Sequence, residues 1–349
     1  MPLATTGILG EDAKIKINIA GECQVLRTRI CDVLGIEHPI ALGGMPTLFN
    51  SPELVSAVCD AGALGILGCT HLSSDQIHKV AKSIRSLTNR PFALNALLFF
   101  EDEDSFAAAL ETQPAVISIA WPKKNQNLSP WVKRAHDAGC KVTVMAGAVD
   151  EAKRAADAGA DVIVAQGTEG GGHVGWIALS VLVPMVVDAV SPVPVMAAGG
   201  IADGRGFASA LALGAEGVLL GTRFLASEEC GLHPSYKQAI LDSDGHDTVL
   251  TEIPDIAAGQ IWPGAMSRVS RNRFVERWAG REWAIRENLA AVQQSITQAR
   301  KSGDREEAPL FYGQDAGLIR DLPPAARIVE RLVAEAEEIL TSKLPSFVK

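Results

Sequence analysis

One short pattern recurs along this chain and limits what it can fold into. A segment with helical periodicity ends in Asp-Ala-Gly, and an apolar run follows at once, at residues 60–62, 137–139 and 157–159. The variant Ala212-Leu213-Gly214 precedes a fourth apolar run. Glycine suits the left-handed conformation that commonly ends a helix. Four copies of one signal that stops a helix and starts a strand predict repeated βα units.

Eight apolar runs are the predicted strands. Most are continuous stretches of Val, Ile, Leu and Ala without alternation, as in strands that helices cover on both faces. The runs are Pro39–Met45, Ala63–Gly68, Phe92–Leu97, Val116–Trp121, Lys141–Ala146, Asp161–Gln166, Val193–Ala198 and Glu216–Gly221. Eight such strands joined by helices predict an α/β fold, the (β/α)8 TIM barrel, closing near residue 222. The count of eight and the lack of G-x-G-x-x-G after the first strand disfavour the alternative, a doubly wound open sheet.

The predicted barrel spans residues 26–245. Residues 1–25 show no clear periodicity beyond a candidate short strand near Lys14–Ile19, and we interpret them as an N-terminal extension. Residues 246–349 are predicted to form a mainly helical region that covers one end of the barrel. Its clearest helix is Pro324–Leu340, which is amphipathic.

Charge and composition restrict the partners and the compartment. A net charge of −9 disfavours nucleic acid and anionic membranes as partners. No apolar run approaches the roughly 18 residues that a membrane span needs, and the N-terminus lacks the pattern of a secretory signal. The six cysteines are scattered without a C-x-x-C pair. We therefore expect a cytoplasmic protein without a membrane span, a disulfide framework or a metal site.

The stretch Val162–Gly175 is the densest candidate site. A buried apolar run ends in the polar residue Gln166, and five glycines follow within nine residues around a single histidine, His173. Glycine after a strand lets backbone N–H groups approach a ligand closely. A flexible loop with an exposed histidine is the plainer interpretation of such a stretch taken alone. The barrel context favours a site, because active sites of this fold lie at the C-terminal ends of the strands.

The ends of the seventh and eighth strands predict a phosphate site. Loops at these positions of a TIM barrel commonly bind phosphate through backbone amides. Gly199 and Gly200 would allow close approach, while Gly221 and Thr222 would supply amides and a hydroxyl from the other side. Two ordinary tight turns are the alternative interpretation.

Two polar side chains interrupt the apolar strands, Asn95 and Gln166. A buried amide costs about 1–3 kcal/mol unless it is hydrogen-bonded. A flat heteroaromatic ring such as a flavin would satisfy these amides; bonds to neighbouring backbone are the alternative. The sequence carries no paired carboxylates, no H-E-x-x-H and no serine nucleophile elbow, so metal catalysis and hydrolysis are poorly supported.

Taken together, these motifs resemble the nitronate monooxygenase family, formerly called 2-nitropropane dioxygenases. The resemblance covers about residues 26–245, in order and at compatible spacings, and Tyr312–Ile319 looks like the closing segment of that family. It is carried by Gly43-Gly44-Met45, Asn95, Gln166–Gly175, Ala197–Gly204 and Gly221–Phe224. Two departures are Gly170, where the family usually has alanine, and the fourth strand from Ser118 to Trp121. Because strand four lines the substrate side, the departure bears on which substrate is used.

The resemblance implies an FMN-dependent oxidoreductase that oxidises alkyl nitronates with O2 to a carbonyl compound and nitrite. His173 is the implied catalytic residue, as a base for neutral nitroalkanes or as a positioning group for nitronates. Within the cofactor set, Gly200 and Leu219 to Thr222 would hold the phosphate. The implied cofactor-binding residues are Gly43, Gly44, Met45, Asn95, Gln166, Gly171, Gly199, Gly200, Leu219, Leu220, Gly221 and Thr222.

Two other classes of protein stay open at this point. FMN-dependent enoyl-acyl-carrier-protein reductases share the histidine loop and the Gly-Gly-Ile-Ala-Asp-Gly motif, and NADH:quinone reductases are also similar; both would consume NAD(P)H. A barrel that binds a phosphorylated metabolite without flavin is the non-redox alternative. The expected partners are a small-molecule substrate and O2. The Trp262–Trp283 region could serve an interface as easily as a lid, so a homodimer is one assembly that the sequence leaves open.

Overall fold

The chain forms a (β/α)8 barrel, as predicted. This architecture comes from a computed structural model, which describes residues 26–100, 102–262 and 264–348. The interpretation of residues 1–25, including the candidate strand near Lys14–Ile19, lies outside the described residues.

All eight predicted runs contain a strand of the barrel wall, and a second short strand begins at the last residue of the first run. The described strands are β1 (Ile40–Leu42), β2 (Met45–Pro46), β3 (Gly65–Gly68), β4 (Phe92–Leu97), β5 (Val116–Ala120), β6 (Lys141–Ala146), β7 (Val162–Gln166), β8 (Gly172–Val174), β9 (Val195–Ala198), β10 (Gly217–Leu220), β11 (Thr248–Thr251) and β12 (Met266–Ser270). Nine of them pair in parallel in the order β1-β10-β9-β7-β6-β5-β4-β3-β2. Hydrogen bonds from Leu42 N to Leu64 O and from Leu64 N to Ile40 O join β1 to the residue that precedes β3 and close the barrel.

Helices alternate with these strands and surround them. They are α1 (Arg29–Leu34), α2 (Pro52–Asp60), α3 (Ser74–Leu87), α4 (Glu103–Glu111), α5 (Ser129–Asp137), α6 (Val149–Asp157), α7 (Leu179–Val190), α8 (Gly204–Ala212), α9 (Thr222–Leu225), α10 (Pro234–Asp242), α11 (Ile253–Ala258), α12 (Arg273–Trp278), α13 (Glu282–Glu287), α14 (Leu289–Ser302) and α15 (Ala325–Glu338). The helix ends follow the signals in the sequence. Ser51 caps α2 by accepting a hydrogen bond from Leu54 N. The four repeated glycines, at 62, 139, 159 and 214, all have φ between +82° and +96°.

Helix α1 closes the N-terminal end of the barrel. Its buried side chains Ile30, Cys31 and Leu34 form one cluster with the residues that point into the barrel interior, such as Val116 and Val162 at the starts of their strands. The Thr28 hydroxyl, just before α1, donates to the carbonyl of Glu216, next to the start of β10. Helix α1 therefore fills this end of the barrel, and the cavity described below lies at the opposite end, at the C-terminal ends of the strands.

The last helix, α15, takes a place in the outer ring that the sequence did not reveal. It packs against α8 on one side and α2 on the other, because α9, the helix directly after β10, has only four residues. Its apolar face is buried at Ile328, Leu332 and Ala336. The amphipathic pattern of 324–340 was therefore correct, but this helix completes the barrel instead of covering one of its ends.

The segment after the barrel also contributes strands. Strands β11 and β12 form an antiparallel sheet with β8 in the order β11-β12-β8, and Ser267 lies opposite His173 in the register. The predicted histidine loop thus contains a short strand of its own. This pairing joins positions more than 90 residues apart, so no local pattern could indicate it.

Candidate active site

One cavity of about 350 Å3 lies at the C-terminal ends of the barrel strands. All thirteen residues that the sequence proposed for catalysis or cofactor binding line it. They are Gly43, Gly44, Met45, Asn95, Gln166, Gly171, His173, Gly199, Gly200, Leu219, Leu220, Gly221 and Thr222. The structure therefore brings the predicted residues together, while the role of each stays a prediction.

The inner wall of the cavity carries the two strand amides. Asn95 is buried, and its amide nitrogen lies 3.1 Å from both the carbonyl and the hydroxyl oxygen of Ser118. Gln166 Oε1 is buried and has no hydrogen-bond partner among the described residues. A Cβ at Gly44 would lie 2.6 Å from Asn95 Cβ, so only glycine leaves this amide in place. An unpaired buried acceptor costs about 1–3 kcal/mol, which a ligand N–H group would offset.

The opposite end of the cavity is formed by the turns after β9 and β10. Gly200 has φ +76°, a conformation that favours glycine. Gly221 has φ −103°, and a Cβ there would meet nothing within 4 Å. Asp203 caps α8 and occupies two amides of its first turn. Gly200, Gly221 and Thr222 line the cavity at this end, where the sequence predicts a phosphate site.

The segment after α14 packs onto the same end. Gly313 N donates to Thr222 Oγ1 at 2.9 Å, and a Cβ at Gly171 would lie 2.5 Å from the carbonyl carbon of Tyr312. This close approach explains why glycine is needed at 171. The next acidic residue, Asp315, is buried and lines the cavity. Burial raises the pKa of its carboxyl to about 7, against the opposing effects of Thr222 and the Arg223 charge.

His173 belongs to a cluster of three polar side chains. Its Nε2 lies 2.8 Å from Asp255 Oδ1, and the hydroxyl of Ser267 lies 3.1 Å from the same nitrogen. Ser267 also donates to Asp255 Oδ2 at 3.3 Å. A carboxylate can only accept, so Nε2 carries a proton in this pair. Among the described residues nothing bonds Nδ1, which is unprotonated when the ring is neutral.

Aromatic rings surround the histidine. Trp262 stacks on it with ring centroids 3.6 Å apart and planes 8° from parallel, and Trp121 approaches edge-on at 6.3 Å. Trp121 has φ +51°, and His71, which packs on Phe100, has φ +67°. Left-handed backbone costs about 1–2 kcal/mol for such residues, and strain of this kind concentrates at functional sites. The part of the cavity beside His173 is lined by the flat, largely apolar rings of Trp121 and Trp262.

Several residues of this site were missed by reasoning from the sequence. Asp255, Trp262 and Ser267 all lie beyond residue 246, in the region interpreted as a cover, and none of them stands in a motif. Asp315 lies inside Tyr312–Ile319, whose resemblance to the closing segment of a family was the one available signal. Their place in the site depends on the β8–β12 pairing and on the return of the chain to the barrel mouth.

Comparison with known proteins decides the family. The family model for nitronate monooxygenase matches residues 27–335. The chain belongs to the nitronate monooxygenase family. It is accordingly an oxidoreductase, and members of this family are generally flavin-dependent.

Similar proteins carry different activities. The chain is 32% identical to the (3aS,4S,5R,7aS)-5-hydroxy-7a-methyl-1-oxo-octahydro-1H-indene-4-carboxyl-CoA dehydrogenase of Mycobacterium tuberculosis, over 89% of this chain and 96% of that one. The structure of FabK from Thermotoga maritima has 35% identity and a TM-score of 0.82, covering 92% of this chain and 99% of that one. Nitroalkane oxidase from Streptomyces ansochromogenes has 29% identity and a TM-score of 0.77, covering 90% and 100%.

Two negative findings hold for the described part of the chain. It contains no helix that is long and apolar enough to cross a membrane. It also contains no group of three or more His, Cys, Asp or Glu side chains that could hold a metal ion.

Because the carboxyl of Asp315 is buried, we expect the free energy of unfolding of the cofactor-free protein to depend on pH. The pKa of this carboxyl is 3.8 when unperturbed and about 7 in the folded state, so the folded chain holds the proton more tightly. The protonated Asp315 carboxyl therefore stabilises the folded chain fully below pH 4. This stabilisation, on the order of 4 kcal/mol, is lost as the pH rises to 7. Asp315→Asn cannot ionise, so it should be more stable than wild type at pH 8 and nearly equal at pH 4.5.

Urea unfolding of both cofactor-free proteins at these two pH values measures this effect. The difference between the two proteins cancels the other titrating groups, which they share. A stability difference that stays constant with pH would contradict the assignment of a neutral carboxyl.

Proposed function

We propose that this protein is an FMN-dependent enzyme that oxidises alkyl nitronates, and the nitroalkanes from which they form, with O2. Two nitronate anions and one O2 give two carbonyl compounds and two nitrite ions, which balances atoms and charge. One observation carries the proposal: a histidine paired with a buried carboxylate faces the same cavity as the predicted cofactor residues. Assembly as a homodimer stays a prediction.

The groups around the cavity fit FMN. Gln166 Oε1 lacks a partner among the described residues, and the ring system of a flavin offers an N–H donor. Asn95 would hold the ring together with Gln166, while Gly200, Gly221 and Thr222 would hold the phosphate. The open space beside Gly221 leaves room for that group. When bound, FMN would supply the electron transfer that no side chain of the site can perform.

His173 would handle the proton of the substrate. Asp255 keeps the proton on Nε2, so Nδ1 can accept the proton that a neutral nitroalkane loses from carbon. Histidine side chains in general exchange protons near neutral pH. With a nitronate, which has already lost that proton, the protonated ring would instead position the anion. Asp255 acts through His173 and is therefore a positioning residue.

Trp121 and Trp262 would enclose the apolar part of the substrate. Both rings lie against His173, so an alkyl chain that reached the histidine would contact them. Their surfaces exclude water from the proton-transfer atoms, which strengthens the electrostatic interactions of the histidine with the substrate. A cavity with these two rings beside His173 fits a substrate that has an apolar body and a small anionic or acidic group at one end.

A reductase or dehydrogenase on the same scaffold is the second candidate. The relative from M. tuberculosis is named as a dehydrogenase of a CoA ester, and the similarity to FabK extends over 92% of this chain. Such an enzyme would exchange electrons with NAD(P)H or another partner instead of giving them to O2 from a nitronate.

Two parallel measurements on the FMN-loaded protein separate these candidates. With an alkyl nitronate in air, the proposal expects nitrite and consumed O2 in a ratio of two to one. With NADH or NADPH under anaerobic conditions, it expects the visible absorbance of the flavin to persist. Rapid loss of that absorbance with NAD(P)H, together with no nitrite from nitronate, would reject the proposal in favour of the reductase.

The His173–Asp255 pair generates a prediction about neutral nitroalkanes. His173→Ala should retain FMN and lose turnover of neutral nitroalkane by about 100- to 10,000-fold, the usual contribution of a general base. Asp255→Asn should reduce this rate less than His173→Ala does, because the ring keeps its basic nitrogen and loses only the partner that holds the proton on Nε2. The preformed nitronate is the matched control, since it needs no base. Equal losses with both substrates would remove the role of His173 as a base.

Gly221 offers a direct test of where the phosphate lies. Gly221→Val should weaken FMN binding at least tenfold, because the new side chain would fill space that the phosphate needs, while its Cβ meets no other atom within 4 Å. Gly231→Val is the matched control, since a Cβ there also meets nothing within 4 Å and the residue does not line the cavity. Fluorescence titration with FMN measures the affinity, and unfolding curves should match wild type within about 1 kcal/mol for both variants. Full FMN affinity in Gly221→Val would place the phosphate elsewhere.

A further inference from the structure

The cavity contains one acidic side chain among the residues that line it in the described part of the chain, and the proposed reaction does not use it. Asp315 is 5% exposed. Its Oδ1 is buried and has no hydrogen-bond partner among the described residues. It lies beside Thr222, at the end of the cavity where Gly200 and Gly221 form the proposed phosphate site. A buried acidic side chain without a bonded cation is uncommon.

Arg223 is the cation that acts on the Asp315 carboxyl, and its positive charge favours the ionised form. Its Nη1 donates to Asp321 Oδ1 at 3.0 Å, whereas its Nε is buried without a hydrogen-bond partner among the described residues. The carboxylate of Glu169, on the adjoining glycine loop, accepts from the first backbone amide of α7 at 3.0 Å. Burial therefore outweighs these charges, and the pKa of Asp315 rises to about 7.

The protonation state of this side chain decides what it does to a phosphate. An ionised carboxylate would repel a phosphate dianion in the same buried space. A neutral carboxylic acid has an O–H group and would donate a hydrogen bond to it. Gly200 and Gly221 bring backbone close to this end but no positive side chain, so the neutral acid is the compatible form.

We propose that Asp315 binds the phosphate of the cofactor as a neutral carboxylic acid, so that binding of FMN takes up one proton. The ligand class is a phosphate monoester dianion. This inference rests on the proposed function, because it takes FMN as the occupant of the cavity. It makes Asp315 a cofactor-binding residue whose side chain couples flavin content to pH.

Equilibrium titration of the cofactor-free protein with FMN, followed by flavin fluorescence between pH 7 and 9, tests the proposal. The phosphate is a dianion throughout this range, since its second pKa is about 6. For wild type, the Kd should rise roughly tenfold per pH unit above pH 7, as uptake of one proton requires. Asp315→Asn, which keeps an N–H donor and cannot ionise, should bind FMN with a Kd that is nearly constant with pH.

Riboflavin, which lacks the phosphate, is the matched ligand control. Its Kd for wild type should not share the tenfold rise. Calorimetric titration of wild type in two buffers of different ionisation enthalpy gives a second readout that needs no variant, with uptake of about one proton expected at pH 8.

The outcomes separate this inference from the proposed function. FMN that binds with the same pH dependence in wild type and Asp315→Asn, or without proton uptake, would overturn the role of Asp315 alone. A protein that binds no FMN at any pH would overturn both proposals. A tenfold rise shared by riboflavin would show that the proton is linked to the ring and not to the phosphate.

Discussion

The pairing of strand β8 with strand β12 is the contact on which the active-site geometry depends. A glycine-rich loop has too much conformational freedom to hold a histidine in one orientation, because glycine restricts the backbone little. The ladder places Ser267 opposite His173, and the following contacts bring Asp255 to within 2.8 Å of its Nε2. The antiparallel sheet thus converts a flexible loop into a rigid support for one side chain.

A second feature of the molecule is the set of polar atoms left without partners in a largely apolar cavity. Gln166 Oε1 and Asp315 Oδ1 are both buried and unpaired among the described residues. Each costs free energy in the cofactor-free protein, and FMN in the proposed position would restore a hydrogen bond to each. Hydrogen bonds between FMN and these atoms would lower the Kd for FMN and so increase the stability that a given FMN concentration confers.

Relatives with different activities share this scaffold. The contacts around the cavity indicate which parts of the site can vary between such relatives. The cofactor end is built from glycines and backbone, which leave little room for change. The substrate side is built from Trp121, Trp262 and Phe100, whose rings come from separate loops. The fourth predicted strand, β5 in the structure, departs from the family pattern at two places beside the site: Ser118 bonds the amide of Asn95, and Trp121 lies beside His173. Substrate choice can change through the aromatic residues without a change in the glycines of the proposed flavin site.

The sequence by itself determined the barrel, its eight strands and the residues that meet at its mouth. These features follow from local rules: continuous apolar runs predict buried parallel strands, glycines mark the ends of helices, and parallel strands in a barrel present their C-terminal ends on one face. Only the tertiary structure decided the partners of His173 and the placement of α15. Asp255, Trp262 and Ser267 are ordinary residues in their local sequence. They reach the site through pairings between distant segments. Packing of the whole chain sets these pairings, so no periodic pattern in the local sequence indicates them.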